Sequence, residues 1–143
     1  KSTKENSYGG YDRNEAAWIS FFLEIVAKQK ERNPHYLAIG EYKDNKLVGF
    51  LLASTYNSYY NNICTMDVKD CIVDKDLATA FTVTKLFDTM LNHVKHHGGL
   101  RWRADSIRAR KHSENYVKLL ELKYGAEIYY SAHGIVKQET VDE

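Results

Sequence analysis

Apolar positions along this chain change period several times, and each change predicts an element. Trp18, Phe21, Phe22, Ile25 and Val26 recur at helical spacing, after Asp12 or Asn14 as cap and before a stop at Asn33-Pro34. Tyr36 to Tyr42 and Leu47 to Ala53 read as strands around an Asp44-Asn45 turn. Tyr56 to Asn62 reads as a loop, and Ile63 to Asp74 as a strand ending in Cys71-Ile72-Val73. Lys75 to Thr82 is expected to be a short connection. Val83, Leu86, Phe87, Met90, Leu91 and Val94 then mark one face of a helix that Gly98-Gly99 ends. Leu100 to Ile107 predicts an extended run. Ser113 caps a helix with Tyr116, Val117, Leu120 and Tyr124 on one face, stopped by Gly125. Ala126 to Val136 is expected to be a last strand.

Strand, loop, helix, strand is the order of a parallel crossover, and the loop at such a helix start is where phosphates bind. The expected fold class is therefore α/β (α+β): a mixed central sheet flanked by helices, in a single domain. We expect a polar lead-in over residues 1–11, the domain over 12–137 and a polar tail over 138–143.

Composition adds limits. A chain of 143 residues that is 43% apolar holds enough material for a core. A net charge of +1 gives no global field that favours nucleic acid or a membrane surface. No run approaches the roughly 20 apolar residues that span a bilayer. Cys64 and Cys71, seven apart on one strand, are expected to face opposite sides and stay unpaired, which suits a reducing, cytoplasmic setting.

The element order resembles the GCN5-related N-acetyltransferase (GNAT) superfamily. Lys46-Leu47-Val48-Gly49-Phe50 is similar to that family's central strand after a tight turn. Val73 stands where its fourth strand carries a valine shortly before the pyrophosphate loop. Leu86 to Gly98 is similar to the helix after that loop, and Ser113 to Ala126 to the asparagine-then-tyrosine helix that ends in glycine. The resemblance implies acetyl transfer from acetyl-CoA to an amine, with Cys71, Ile72 and Val73 offering backbone groups along the cofactor. It places the loop at Ala78, Thr79, Ala80, Phe81, Thr82, Val83 and Thr84, and a pantetheine contact at Asn115. The family carries Arg or Gln, Gly, and Gly or Ala where this chain has Ala78, Phe81 and Val83; Thr79, Thr82 and Thr84 are the hydroxyl donors that remain. Asp70 is the expected base, with Asp67 second. The family's acid tyrosine falls near Glu121, which leaves Tyr116 and Tyr124 as candidates. Tyr56, Tyr59 and Tyr60 are expected to shape the acceptor site.

Two other readings stand beside this one. The loop departures suit a binding protein that keeps the acetyltransferase fold without its chemistry. Arg101, Arg103, Arg108, Arg110, Lys111 and His112 form a basic cluster that suits a phosphate, of CoA or of nucleic acid. His93, His96 and His97 close the long helix, where cations complement its dipole, and no metal is expected there. The acceptor and the oligomeric state, a homodimer included, stay open.

Overall fold

The computed structural model describes residues 14–57, 62–74, 76–105, 113–129 and 136. Seven elements follow one another: α1 (Glu15–Lys30), β1 (Tyr36–Lys43), β2 (Lys46–Asn57), β3 (Cys64–Val73), α2 (Ala80–His96), β4 (Arg101–Ala104) and α3 (Ser113–Tyr124). Ala16–Asp105 form one compact unit; α3 belongs to a second, described by itself.

The strands lie in the order β1-β2-β3-β4. β1, β2 and β3 are antiparallel neighbours, and β4 runs parallel to β3. Asp44 and Asn45 both take positive φ, as the two-residue turn between twisted strands requires. α2 supplies the crossover that a parallel pair needs.

Pairing registers assign the faces. Phe50, Leu52, Ser54 and Tyr56 of β2 share one face with Thr65, Asp67, Asp70 and Ile72 of β3 and with Arg101 and Arg103 of β4. α1 covers part of it: Trp18 packs at 5.8 Å from Phe50 and stacks at 5.6 Å on Phe22. The opposite face carries Leu51, Ala53, Met66, Val68 and Trp102 and receives α2. Phe87 meets Trp102 edge-on at 5.7 Å there. Ile25, Leu51, Leu52, Leu86, Phe87 and Met90 are fully buried and form the heart of the core.

Several sequence expectations are corrected here. β2 runs to Asn57, so Tyr56 stands on a strand rather than in a loop. β3 is Cys64–Val73 and β4 is Arg101–Ala104, with Asp105 outside the strand and Ser106 and Ile107 outside the described residues. α2 begins at Ala80, three residues before the apolar face, because Thr79 and Thr82 cap it mutually. Ala126 to Tyr129 carry no strand, and residues 130–135 of the expected last strand lie outside the described residues.

The largest correction concerns β3. Leu52 pairs with Asp70 and Ala53 with Val68, so Lys69 is an extra residue, a β-bulge. It changes the parity of everything after it. Asp67 and Asp70 therefore share a face, and so do Cys64, opposite Asn57, and Cys71, opposite Leu51. The cysteines form no disulfide all the same, since six strand steps separate their partners, about 20 Å.

The apolar face of α2 follows the spacing read from the sequence, and the helix ends on Gly98 with φ 73°. Gly99 N–H reaches Val94 O at 2.8 Å, which satisfies a carbonyl the helix leaves open. In α3, Gly125 takes φ 63° and Leu120 is buried. No helix among the described residues is long and apolar enough to cross a membrane.

Candidate functional site

The site grows out of the bulge. β3 pairs with β4 only from Thr65 opposite Arg101 to Val68 opposite Ala104. Past Lys69, Asp70 to Val73 keep a ladder with β2 alone among the described residues. A strand with one partner has backbone N–H and C=O groups along its other edge, ready to pair with an extended ligand. Cys71, Ile72 and Val73 are half-buried on this segment.

The start of α2 sits beside the end of β3. A Cβ built on Gly49 would meet Thr82 Cγ2 and Val73 Cγ1, each at 3.0 Å, so the two elements converge on a position that only glycine fills comfortably. The turn that leads there is held by its own residues. Asp74 Oδ1 accepts from Asp76 N–H at 2.8 Å and Leu77 N–H at 2.9 Å, and Asp74 O accepts from Ala78 N–H at 2.8 Å. Thr79 Oγ1 accepts from Phe81 N–H at 3.3 Å, while Thr82 Oγ1 accepts from Thr79 N–H at 3.0 Å. Thr82 and Thr84 are buried, Ala78 and Val83 half-buried, and Phe81 is 69% exposed at the rim. An anion at this helix start would therefore compete with the capping box for Thr79 and Phe81 N–H.

The face under α1 carries the ionisable side chains. Trp18 Nε1–H donates to Asp70 Oδ2 at 2.9 Å, which fixes that carboxylate against the helix. Asp67, only 6% exposed, lies one row away. Lys69 Nζ meets its Oδ2 at 2.6 Å, and Arg103 Nε stands 3.9 Å from its Oδ1. Arg103 makes its short contact elsewhere, to Asp105 Oδ1 at 2.8 Å. Partial burial works against the Arg103 charge, yet Asp105, then Asp67 and Tyr56, hold its pKa above the ordinary guanidinium value. Asp67 Oδ1 has no hydrogen-bond donor among the described residues. The resemblance puts Asp70 ahead of Asp67 because Asp70 lies closer to the family's base position; the bulge that aligns the two leaves no mark in residue type.

Other expected residues are placed but not assembled. Asn115 is exposed on α3, while Tyr116 and Tyr124 are half-buried, with Lys123 Nζ at 5.7 Å from the Tyr124 ring centroid. Tyr59 and Tyr60 lie outside the described residues, as do Arg108, Arg110, Lys111 and His112.

At the far end of α2, His93 Nε2 lies 2.9 Å from Pro34 O, and the His93 and His97 rings are 4.5 Å apart. No group of three His, Cys, Asp or Glu among the described residues is arranged for a metal. Partial desolvation, then His93, His96 and His35, hold His97 below its ordinary pKa of 6.5. The unfolded chain then protonates at this position before the folded one does. Stability falls as pH drops through about 6.5 and levels off below the folded value. We expect the urea midpoint to fall between about pH 7 and pH 5.5, and less steeply in His97→Gln. An unchanged slope in that variant would refute the assignment.

No family model matches this chain, and no curated protein matches it. Solved structures do. The aminoglycoside acetyltransferase AAC(6')-Iy, in complex with a CoA-linked bisubstrate analog, is 14% identical with a TM-score of 0.65, over 88% of this chain and 82% of that one. The aminoglycoside 6'-N-acetyltransferase AAC(6')-IG from Acinetobacter haemolyticus is 13% identical with a TM-score of 0.63, over 92% and 86%. A ribosomal-protein-alanine N-acetyltransferase from Brucella melitensis is 15% identical with a TM-score of 0.58, over 80% and 79%. The chain therefore has the fold of the GCN5-related N-acetyltransferase superfamily.

Proposed function

We propose that the protein transfers an acyl group from a CoA thioester, acetyl-CoA in the first instance, to an amine. The observation that carries this reading is the stretch of β3 from Asp70 to Val73, which keeps a ladder with β2 alone among the described residues and ends beside the start of α2. An extended pantetheine arm pairs with such an edge as a strand would. Bound there, the thioester supplies the acyl group and a thiolate leaving group. Backbone N–H groups of Cys71 to Val73 hydrogen-bond the carbonyl oxygen as charge develops on it. A carboxylate on β3 takes the proton of the acceptor ammonium; the family resemblance ranks Asp70, acting through water, ahead of Asp67. The amine nitrogen bonds to the carbonyl carbon as the C–S bond breaks. The thiolate takes a proton from a hydroxyl donor; Tyr116 and Tyr124 are the residues the family resemblance offers for it, and the phenylalanine variants of each test which.

Thermal unfolding with CoA and acetyl-CoA tests the donor. Ligand at about 100 times its dissociation constant adds roughly 2.7 kcal/mol, several degrees for a domain of this size. A second reading, a binding protein that takes no CoA, is favoured by the turn before α2, whose N–H groups bond within the turn. No shift at millimolar CoA decides for it.

A further inference from the structure

Resting on the acyl-transfer reading, we infer that Asp67, rather than Asp70, receives the acceptor's primary ammonium and takes its proton. Asp67 is the one carboxylate buried among the described residues. Its Oδ1 lacks a donor, and leaving a buried acceptor atom unmatched is costly unless a partner arrives. Asp70 is in the opposite situation, tied to α1 by the Trp18 indole at 2.9 Å.

The surroundings of Asp67 suit an exchangeable cation. Lys69 and Arg103 beside it are 41% and 46% exposed in their side chains. Arg103 is drawn to Asp105 and stands too far from Oδ1 for a hydrogen bond. Oδ1 itself is shielded from solvent, so the entering ammonium takes the place of the half-exposed Arg103 side chain beside it, while the Lys69 contact to Oδ2 stays. Asp67 also precedes the bulge on the face it shares with Asp70, at the point where β4 stops pairing with β3, so it lies at the mouth of the proposed donor groove.

Charge restricts the acceptor. Lys69, Arg101 and Arg103 stand with Asp67, Asp70 and Asp105, three positive against three negative. A polycation gains nothing from such a surface, whereas a singly charged primary amine does. The step balances: the ammonium proton passes to Asp67, the nitrogen bonds to the acyl carbon as the C–S bond breaks, and the second nitrogen proton goes to the departing thiolate, leaving amide and thiol.

The test is thiol release from acetyl-CoA by the full chain with monoamines, amino acids, spermidine and an aminoglycoside. Asp67→Asn is expected to lose about 10²–10⁴-fold in kcat/KM, together with the acidic limb of the pH profile, and more than Asp70→Asn loses. If Asp67→Asn does not fold, Asp67→Glu carries the test, with a loss of at least tenfold at unchanged Tm expected. Asp67 variants within a few-fold of wild type, or a larger loss in Asp70→Asn, would overturn the assignment. Spermidine or the aminoglycoside outrunning every monoamine by tenfold would overturn the acceptor class. A wild type that CoA stabilises but that releases thiol with none of these amines overturns the inference alone. A wild type that CoA fails to stabilise removes the acyl-transfer reading beneath it.

Discussion

Phe87→Ala is expected to cost about 3–5 kcal/mol, a large share of the roughly 5–15 kcal/mol that holds a domain of this size folded. The ring is fully buried between α2 and the sheet, edge-on to Trp102 at 5.7 Å. Removing it deletes apolar contact and leaves a cavity that Leu86, Met90 and Leu51 cannot all collapse into. The melting temperature should drop by roughly 10–20 °C. Phe81, six residues earlier on the same helix, is the internal control. It is 69% exposed, and Phe81→Ala should change stability by only about 0.5 kcal/mol. Equal losses in the two variants would mean that α2 is rotated from the orientation described.

Gly49→Val is expected to cost about 3 kcal/mol, and its effect is local. The new Cβ would sit 3.0 Å from both Thr82 Cγ2 and Val73 Cγ1 and 3.4 Å from Ile72 O. Two side chains and a backbone atom cannot all yield, so the first turn of α2 moves off the sheet and Thr82 Oγ1 loses Thr79 N–H. Protection of Thr79 and Phe81 amides against hydrogen exchange should fall more than that of Met90 or Val94. Under the proposed function, affinity for CoA falls as well. Uniform loss of protection along α2 would show that Gly49 supports the whole helix rather than its start.

Residue type announced some of these features and hid others. Leu86, Phe87, Met90 and Val94 are buried as their spacing requires, because a long amphipathic helix repeats its signal over several turns. Asp44-Asn45 marked its turn because few residues accept positive φ twice in succession. The start of α2 was hidden by its cap. Two threonines bond reciprocally where the familiar pattern ends in Glu or Gln, so the first helical turn read as loop. Tyr56 looked like loop because tyrosines and asparagines surround it, while its pairing with Thr65 extends β2. The candidate site depends on the least legible feature, the bulge at Lys69, which no glycine or proline announces. Parity along a strand is a global property, and one unpaired residue inverts every assignment after it. Odd spacing alone would put Asp67 and Asp70 on opposite faces; the bulge puts them on one.

That extra residue also changes what a deletion means. Ala53 pairs with Val68 and Leu52 with Asp70, so removing Lys69 would close β3 into regular alternation while Asp70, Cys71, Ile72 and Val73 keep their faces and partners. What would go is the local kink and added twist of the bulge, at the place where β4 leaves the strand. In a family tree of such sequences, a single-codon gap here would be silent in the core and felt only at the sheet edge.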